Sequence, residues 1–211
     1  VLHHENWHFI TTHPSSFFAQ SHLCLMEGEL HHSSSGQEFR SFIRACLKNI
    51  TAPPEDDIQV FFVPGQGPQA KKAILEELEK SQTVKIAAHR FSLNSLTEKL
   101  SEMLKSGQPL NAQFVFDDDI FWGRAPNAKY ETETVMRLKN DGGQMRYIET
   151  NPAQRLLHHN KFIVFVSQDS KSAFVGAGNF TESAFSNNWE NFYLVRIPEV
   201  VEKMDAQFDY L

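Results

Sequence analysis

From residue 58 to residue 211, the apolar residues follow two alternating patterns. Short continuous runs such as Val84 to Ala88 are typical of buried strands, whereas apolar residues three or four positions apart, such as Ile74 and Leu78, indicate helices. The pattern predicts strands over 58–63, 84–88, 114–116, 145–148, 157–165, around 174–175 and over 192–195, and helices over 70–80, 96–104, 131–140, from 181 and at the end of the chain. This order predicts an α/β fold, with a mixed sheet covered by helices and the functional loops gathered at one end of the sheet.

The beginning of the chain repeats part of its end. With one gap, Glu5-Asn6 and Pro14 align with Glu190-Asn191 and Pro198, and both sets belong to a strand followed by a helix that starts near the proline. Residues 1–35 are therefore predicted to be the last strand and helix of a preceding copy of the domain, which would make the chain a piece of a two-repeat protein. The alternative is a chance match between two ordinary strand and helix pairs.

Residues 36–57 are predicted to be a helix and a linker between this tail and a domain over 58–211. The linker is Thr51-Ala52-Pro53-Pro54-Glu55-Asp56-Asp57, which is rich in proline and acidic residues and so indicates a domain boundary.

The composition is that of a soluble globular protein, with 41% hydrophobic and 22% charged residues. The net charge of -6 does not indicate a nucleic-acid binder, although a groove can be locally basic on an acidic protein. No apolar run approaches the roughly 18 residues of a membrane-spanning helix, and the first residues lack the layout of a signal peptide. The compartment stays open, because the parent protein could be exported.

Four polar side chains lie at the ends of the apolar, strand-like runs, namely His159, Lys161, Asn179 and Glu190. Side chains alternate between the two faces of a strand, so His159 and Lys161 are expected to share one face and one pocket. An imidazole beside an ammonium group suits a phosphodiester, because histidine can attack phosphorus while lysine and an asparagine amide hold the anionic oxygens.

Three segments in this order resemble the phospholipase D superfamily, whose H-x-K signature is followed by G-S-x-N. They are His159-Asn160-Lys161, Gly176-Ala177-Gly178-Asn179 and Glu190-Asn191. The resemblance covers the whole predicted domain and implies a PLD-like α-β-α sandwich with a central mixed sheet. Two positions depart from the family: Val166 stands where the motif has an aspartate, and Ala177 replaces the serine.

The resemblance also implies a mechanism and a partner. His159 would form a covalent phosphohistidine, Lys161 and Asn179 would bind the phosphoryl oxygens, and Glu190 would accept a hydrogen bond from the other imidazole nitrogen of His159. The reaction needs no metal and no cofactor. A second histidine from a symmetry-related copy would protonate the leaving group, so the partner is expected to be a second copy in a homodimer or the missing N-terminal repeat.

Other loop residues are weaker candidates. His89 and Trp122 are predicted to bind substrate, since His89 follows a buried strand and Trp122 could form a groove wall that stacks bases or meets lipid. The alternatives are a solvent-facing His89 and a Trp122 that contacts a second subunit. Asp117-Asp118-Asp119 is interpreted as a helix cap or a solvated turn in preference to a metal site.

The predicted function is a phosphodiesterase, specifically a metal-independent nuclease of the phospholipase D superfamily. The local sequence around Asn179-Phe180-Thr181 and Asn188-Trp189-Glu190-Asn191 looks like that of the compact endonuclease-type members of the superfamily. One alternative is a phospholipase D or phosphatidyltransferase that acts on lipid headgroups, which the acidic charge and a two-repeat parent would favour. The other is a catalytically impaired binding module, suggested by Val166 and the absent partner motif.

Overall fold

The computed structural model describes residues 57–107, 109–118, 128–149 and 157–211, without the side chains of 128–130. The elements in chain order are β1 (Ile58–Val63), α1 (Gly67–Lys80), β2 (Thr83–Ala88), β3 (Phe91–Ser92), α2 (Asn94–Lys105), β4 (Asn111–Asp117), α3 (Ala128–Asn140), β5 (Gln144–Ile148), β6 (Lys161–Val166), β7 (Lys171–Gly176), β8 (Phe180–Thr181), α4 (Glu182–Ser186), β9 (Glu190–Val195) and α5 (Pro198–Tyr210). The predicted tail over 1–35, Trp122 and the segment 36–57, except Asp57, lie outside the described residues.

Seven strands form one mixed sheet in the order β1-β9-β7-β6-β2-β4-β5. Strand β4 runs parallel to β2 and β5, whereas the pairs on the other side of β2 are antiparallel. Helices α1 to α4 contribute to the apolar core on one face of this sheet, and α5 packs against β2, β6 and β7. The predicted α/β sandwich with a central mixed sheet is therefore confirmed.

The period-2 alternation of strand side chains divides the core between the two faces. In β4, Phe114 and Phe116 join the larger cluster with α1 to α3, whereas Val115 joins the cluster beneath α5. Both clusters are fully apolar at their centres, which explains why the central strands read as continuous hydrophobic runs in the sequence.

The strand register brings many loops to one end of the sheet, which we call the site end. Ala88, the last residue of β2, pairs with both Phe116 near the end of β4 and Lys161 at the start of β6. Glu190, the first residue of β9, pairs with the last residue of β1. Strands β1, β2, β4 and β7 therefore finish where β6 and β9 begin, as the sequence predicted for the functional loops.

A second, two-stranded sheet connects two of these loops. Strand β3 follows β2 after two residues and pairs in parallel with β8, so that Phe91 lies opposite Phe180. Both phenylalanines are fully buried, with ring centroids 6.4 Å apart. The small sheet thereby fixes the segment that carries His89 relative to the segment that carries Asn179.

Candidate active site

His159 lies at the site end, immediately before a strand and not within it. The sequence placed His159 inside a strand over 157–165, but β6 begins at Lys161. The ring of His159 is exposed, whereas Lys161 is buried, with 6% of its surface accessible. The ammonium group of Lys161 donates a hydrogen bond to the carbonyl of His159 at 2.9 Å, which ties the two motif residues together.

Lys161 has an unusual environment for a buried cation. Burial lowers its pKa, and the charge of Glu190 opposes this effect. Within the described ranges Lys161 forms no salt bridge, and its one hydrogen bond goes to a neutral carbonyl. A buried ammonium without a carboxylate partner is costly, so an anionic ligand would relieve this cost.

A second imidazole lies beside His159. The rings of His89 and His159 have centroids 5.1 Å apart and are tilted by 51°. The backbone N–H of His89 donates to the carbonyl of Asn160 at 3.2 Å, which fastens the residue after β2 to the H-x-K segment. His89, predicted as a substrate-binding residue, therefore lies in the same site as His159.

Asp117 is the buried carboxylate of this site. Its Oδ2 accepts a hydrogen bond from the backbone N–H of His158 at 2.8 Å and lies 3.6 Å from Nδ1 of His89. The interpretation of Asp117 as a helix cap or solvated turn is wrong, because it is the last residue of β4 and is fully buried. Of its two acidic neighbours, Asp118 is partly exposed and Asp119 lies outside the described residues.

His158 is the third histidine at the site end. It is buried, and its Nδ1 lies 3.4 Å from the side-chain amide nitrogen of Asn160. Its Nε2 is also buried and makes no hydrogen bond of good geometry in the described part of the chain, although the backbone of Val115 is close enough to raise the pKa of the ring. Neither His158 nor Asp117 was predicted as a site residue. The usable signal was a polar residue at the end of each of two apolar runs, but only the sheet order shows that these runs are near neighbours.

Burial lowers the pKa of His89, His158 and His159, and the Asp117 carboxylate opposes the fall in each case. Lys161 lowers the pKa of His159 further, because two cations repel each other. Since an ordinary histidine titrates near 6.5, all three imidazoles are mainly neutral at pH 7. A neutral, exposed His159 has a free lone pair and can act as a nucleophile.

Asn179 and Glu190 reach the same end of the sheet from β7 and β9. The amide oxygen of Asn179 is buried and lacks a hydrogen-bond partner among the described residues. Glu190 accepts from the side chain of Asn188 at 3.4 Å, and its charge acts on Lys161. In the described structure no hydrogen bond joins Glu190 to His159, and the carboxylate whose charge acts on His159 is Asp117.

Glycine is required in the turn that carries Asn179. A Cβ added to Gly178 would lie 2.5 Å from Cζ of Phe192 and 3.1 Å from Cγ of Glu190. Because real Cβ atoms do not approach other atoms so closely, the turn can pack against β9 only with glycine at this position.

The family to which the chain belongs follows from a comparison with models of known protein families. The family described as "Cardiolipin synthase, PLD-like domain" matches residues 74–211. The chain belongs to this PLD-like domain family. The resemblance drawn from the sequence motif is thereby confirmed, and the fold is that of the phospholipase D superfamily. A search of curated proteins found no match.

Solved structures share the fold of this PLD-like domain. Nuc from Salmonella typhimurium, a phospholipase D family member, is 20% identical with a TM-score of 0.56, and the match covers 72% of this chain and 91% of Nuc. NucT from Helicobacter pylori is 15% identical with a TM-score of 0.57, covering 72% of this chain and 93% of NucT. Polyphosphate kinase from Porphyromonas gingivalis is 15% identical with a TM-score of 0.57, covering 76% of this chain but 27% of the kinase.

Two further properties concern the described residues alone. None of their helices is both long enough and apolar enough to span a bilayer. They also contain no group of three or more histidine, cysteine, aspartate or glutamate side chains arranged to hold a metal ion.

Proposed function

We propose that this PLD-like domain is a phosphodiesterase in which His159 attacks phosphorus and forms a covalent phosphohistidine. The observation that carries this proposal is the exposed His159 next to the buried ammonium of Lys161, which forms no salt bridge within the described ranges. The imidazole supplies the nucleophile, and the ammonium supplies a positive charge that attracts a phosphodiester anion and the additional charge of its transition state.

Lys161 and Asn179 are the groups that hold the phosphoryl oxygens in this proposal. The ammonium is already oriented by the His159 carbonyl, so little ordering is needed when the substrate binds. For Asn179, rotation of the side-chain amide exchanges its oxygen and nitrogen and would present an N–H donor. We assign Glu190 to holding the Lys161 ammonium in place, because its charge acts on that lysine.

We propose nucleic acid as the substrate class. Trp189 immediately precedes Glu190 at the site end and is 90% exposed, which is the environment of an aromatic side chain that stacks on unpaired bases. A lipid-headgroup phosphodiesterase is the second candidate, favoured by the exposure of Leu157 (47%), directly before the histidine pair, and of Phe62 (64%) near the end of β1. Leu157 is aliphatic and cannot stack on a base, and both side chains can contact acyl chains.

The test compares the full chain with His159→Ala on three substrates: bis(p-nitrophenyl) phosphate, single-stranded DNA and phosphatidylglycerol vesicles, each in excess EDTA. We expect the wild-type chain to cleave the first two substrates without a divalent ion. His159→Ala should lower the rate by several powers of ten, since it removes the covalent nucleophile. An acid-labile, base-stable adduct on the wild-type chain would identify the phosphohistidine.

The exposed position of His159 makes a folding defect unexpected, and thermal unfolding followed by circular dichroism checks this point. Residual activity above about a tenth of the wild-type rate would exclude His159 as the nucleophile. Cleavage of the vesicles but not of DNA would transfer the proposal to the lipid candidate. Turnover that EDTA abolishes and a divalent ion restores would contradict a metal-independent reaction.

A further inference from the structure

The side chain of Asn179 does little to fix its own position. Its amide oxygen is buried and makes no hydrogen bond among the described residues, so the place of the amide depends on the backbone to either side. On one side, Gly178 packs closely against β9. On the other side, the backbone N–H of Phe180 donates to the carbonyl of Arg90 at 3.2 Å. Arg90 therefore anchors one end of the turn that carries Asn179.

Arg90 is itself held by a buried ion pair. Its guanidinium group donates to the carboxylate of Glu131 in α3 at 3.0 Å, and the Glu131 side chain is fully buried while that of Arg90 is 18% exposed. Such a pair confines both partners, because neither charge can leave without exposing the other to an apolar interior. Since Arg90 lies between β2 and β3, the pair fastens this connection to α3.

We propose, on the basis of the proposed phosphodiesterase activity, that the Arg90–Glu131 ion pair positions Asn179 for the reaction. The pair holds the Arg90 backbone, and the Arg90 carbonyl holds Phe180, the residue after Asn179. Loss of the pair would free the small sheet of β3 and β8 to shift and would move the amide away from the phosphoryl oxygens held by Lys161. Arg90 and Glu131 act through Asn179 and are positioning residues.

A second arginine–glutamate pair provides a matched control. Arg196, the residue after β9, bonds Glu77 of α1 at 2.9 Å, with side-chain exposures of 32% and 13%. This pair also fastens the end of a strand to a helix. It lies at the opposite end of β9 from Glu190 and therefore far from the site end. The two pairs share their chemistry and differ in location, so a comparison separates an effect on the site from a loss of stability.

A double-mutant cycle with Asn179→Ala tests the proposal in the full chain. Removal of one partner alone would leave a buried charge and could unfold the chain whatever the function of the pair, so both partners are replaced together. The test variant is Arg90→Met/Glu131→Gln, and the control is Arg196→Met/Glu77→Gln. Each is made with and without Asn179→Ala, and kcat/KM is measured for bis(p-nitrophenyl) phosphate. Circular dichroism checks that every variant folds.

Asn179→Ala alone should lower kcat/KM by about 10²- to 10³-fold, the usual effect of losing one preorganised donor. Arg90→Met/Glu131→Gln alone should lower it by about ten- to a hundredfold, because a misplaced group loses much of its effect. In the Asn179→Ala background the same change should cost less than about threefold, since an absent amide cannot be displaced. The control should stay within about threefold of its parent in both backgrounds. Losses that multiply independently would overturn the proposal.

The NMR signals of the Asn179 side-chain amide give a readout that needs no turnover, and they are the signals that Asn179→Ala removes. They should move towards the random-coil position in Arg90→Met/Glu131→Gln and stay in place in the control, and signals that do not move would overturn the proposal. If these signals move as expected but the wild-type chain cleaves no diester, only the proposed function fails.

If Arg90→Met/Glu131→Gln does not fold, Arg90→Lys provides the second test. Lysine keeps a positive charge opposite Glu131 but lacks the planar donor group of arginine. We expect a smaller loss of kcat/KM that again disappears in the Asn179→Ala background, together with a smaller movement of the amide signals. Wild-type kinetics and unmoved signals in Arg90→Lys would overturn the proposal.

Discussion

Lys161 and Lys85 both extend from strands of the same sheet, yet their surroundings are opposite. Lys85 of β2 donates to Asp205 at 2.6 Å and to Asp209 at 2.7 Å, both on α5, and these carboxylates raise its pKa against the effect of burial. Lys161 bonds only a carbonyl, and burial lowers its pKa. Lys85 therefore forms two salt bridges, whereas Lys161 forms none within the described ranges and receives only the longer-range effect of the Glu190 charge.

Lys85 belongs to a larger ion-pair cluster that holds α5 on the sheet. Its members are Lys85, Lys171, Glu202, Asp205 and Asp209. Lys171 of β7 bonds Asp205 at 2.7 Å, so two strands and one helix share a single carboxylate. The cluster links elements of the fold, whereas Lys161 at the site end forms no salt bridge among the described residues. Two exchanges of lysine for methionine, which keeps the approximate length of the side chain, separate these roles.

The larger effect is expected for Lys161→Met on activity. Loss of one preorganised donor to the phosphoryl oxygens should lower kcat/KM for bis(p-nitrophenyl) phosphate by about 10²- to 10³-fold. The free energy of unfolding should change little, because the substitution removes a buried charge together with one hydrogen bond. Steady-state kinetics and urea denaturation of the same preparations measure the two quantities. A large loss of stability with unchanged kinetics would show that Lys161 is structural.

Lys85→Met should give the reverse result. Asp205 would lose one of its two lysine partners, and the free energy of unfolding should fall by about 1.5–3 kcal/mol, the range for a charged hydrogen bond. Activity should stay within about twofold of wild type, because Lys85 contacts none of the site residues. A drop in kcat/KM comparable to that of Lys161→Met would mean that the position of α5 affects the site.

The sequence is sufficient to predict Lys161 as a site residue but not most of the residues around it. Strand and helix order, the mixed sheet and the H-x-K motif follow from hydrophobic spacing and from residues that are close in the chain. His159, Lys161, Asn179 and Glu190 all come from the last third of the domain and follow the motif directly. Their local sequence is therefore sufficient to propose them together.

The pairing of Asp117 with His89 depends on long-range strand order. Strand β2 lies between β4 and β6, and this arrangement brings the ends of the first two strands to the start of the third. Hydrophobic periodicity does not encode which strands are neighbours. The same limit explains the incorrect prediction of a helix cap or solvated turn at Asp117: three consecutive acidic residues after a strand look exposed unless the neighbours of the strand end are known.

The smallest expected effect concerns stability in mild acid, and it distinguishes the two regions by pH. Burial lowers the pKa of His158, so the unfolded chain binds more protons than the folded chain between that pKa and the ordinary value near 6.5. The stability that His158 contributes is thus present above about pH 6.5 and is lost as the pH falls through its folded pKa. In the ion-pair cluster the pKa of Asp205 is lowered, so its contribution is lost only below about pH 4.

Between about pH 6.5 and pH 4.5, the decline in the free energy of unfolding should therefore come from histidines and not from the ion-pair cluster. Urea denaturation at several pH values should show a smaller decline for His158→Gln than for wild type, whereas Lys85→Met should follow the wild-type slope from a lower starting value. The difference between variant and wild type cancels the histidines common to both chains. Identical slopes for His158→Gln and wild type would show that the buried imidazole takes up its proton without cost.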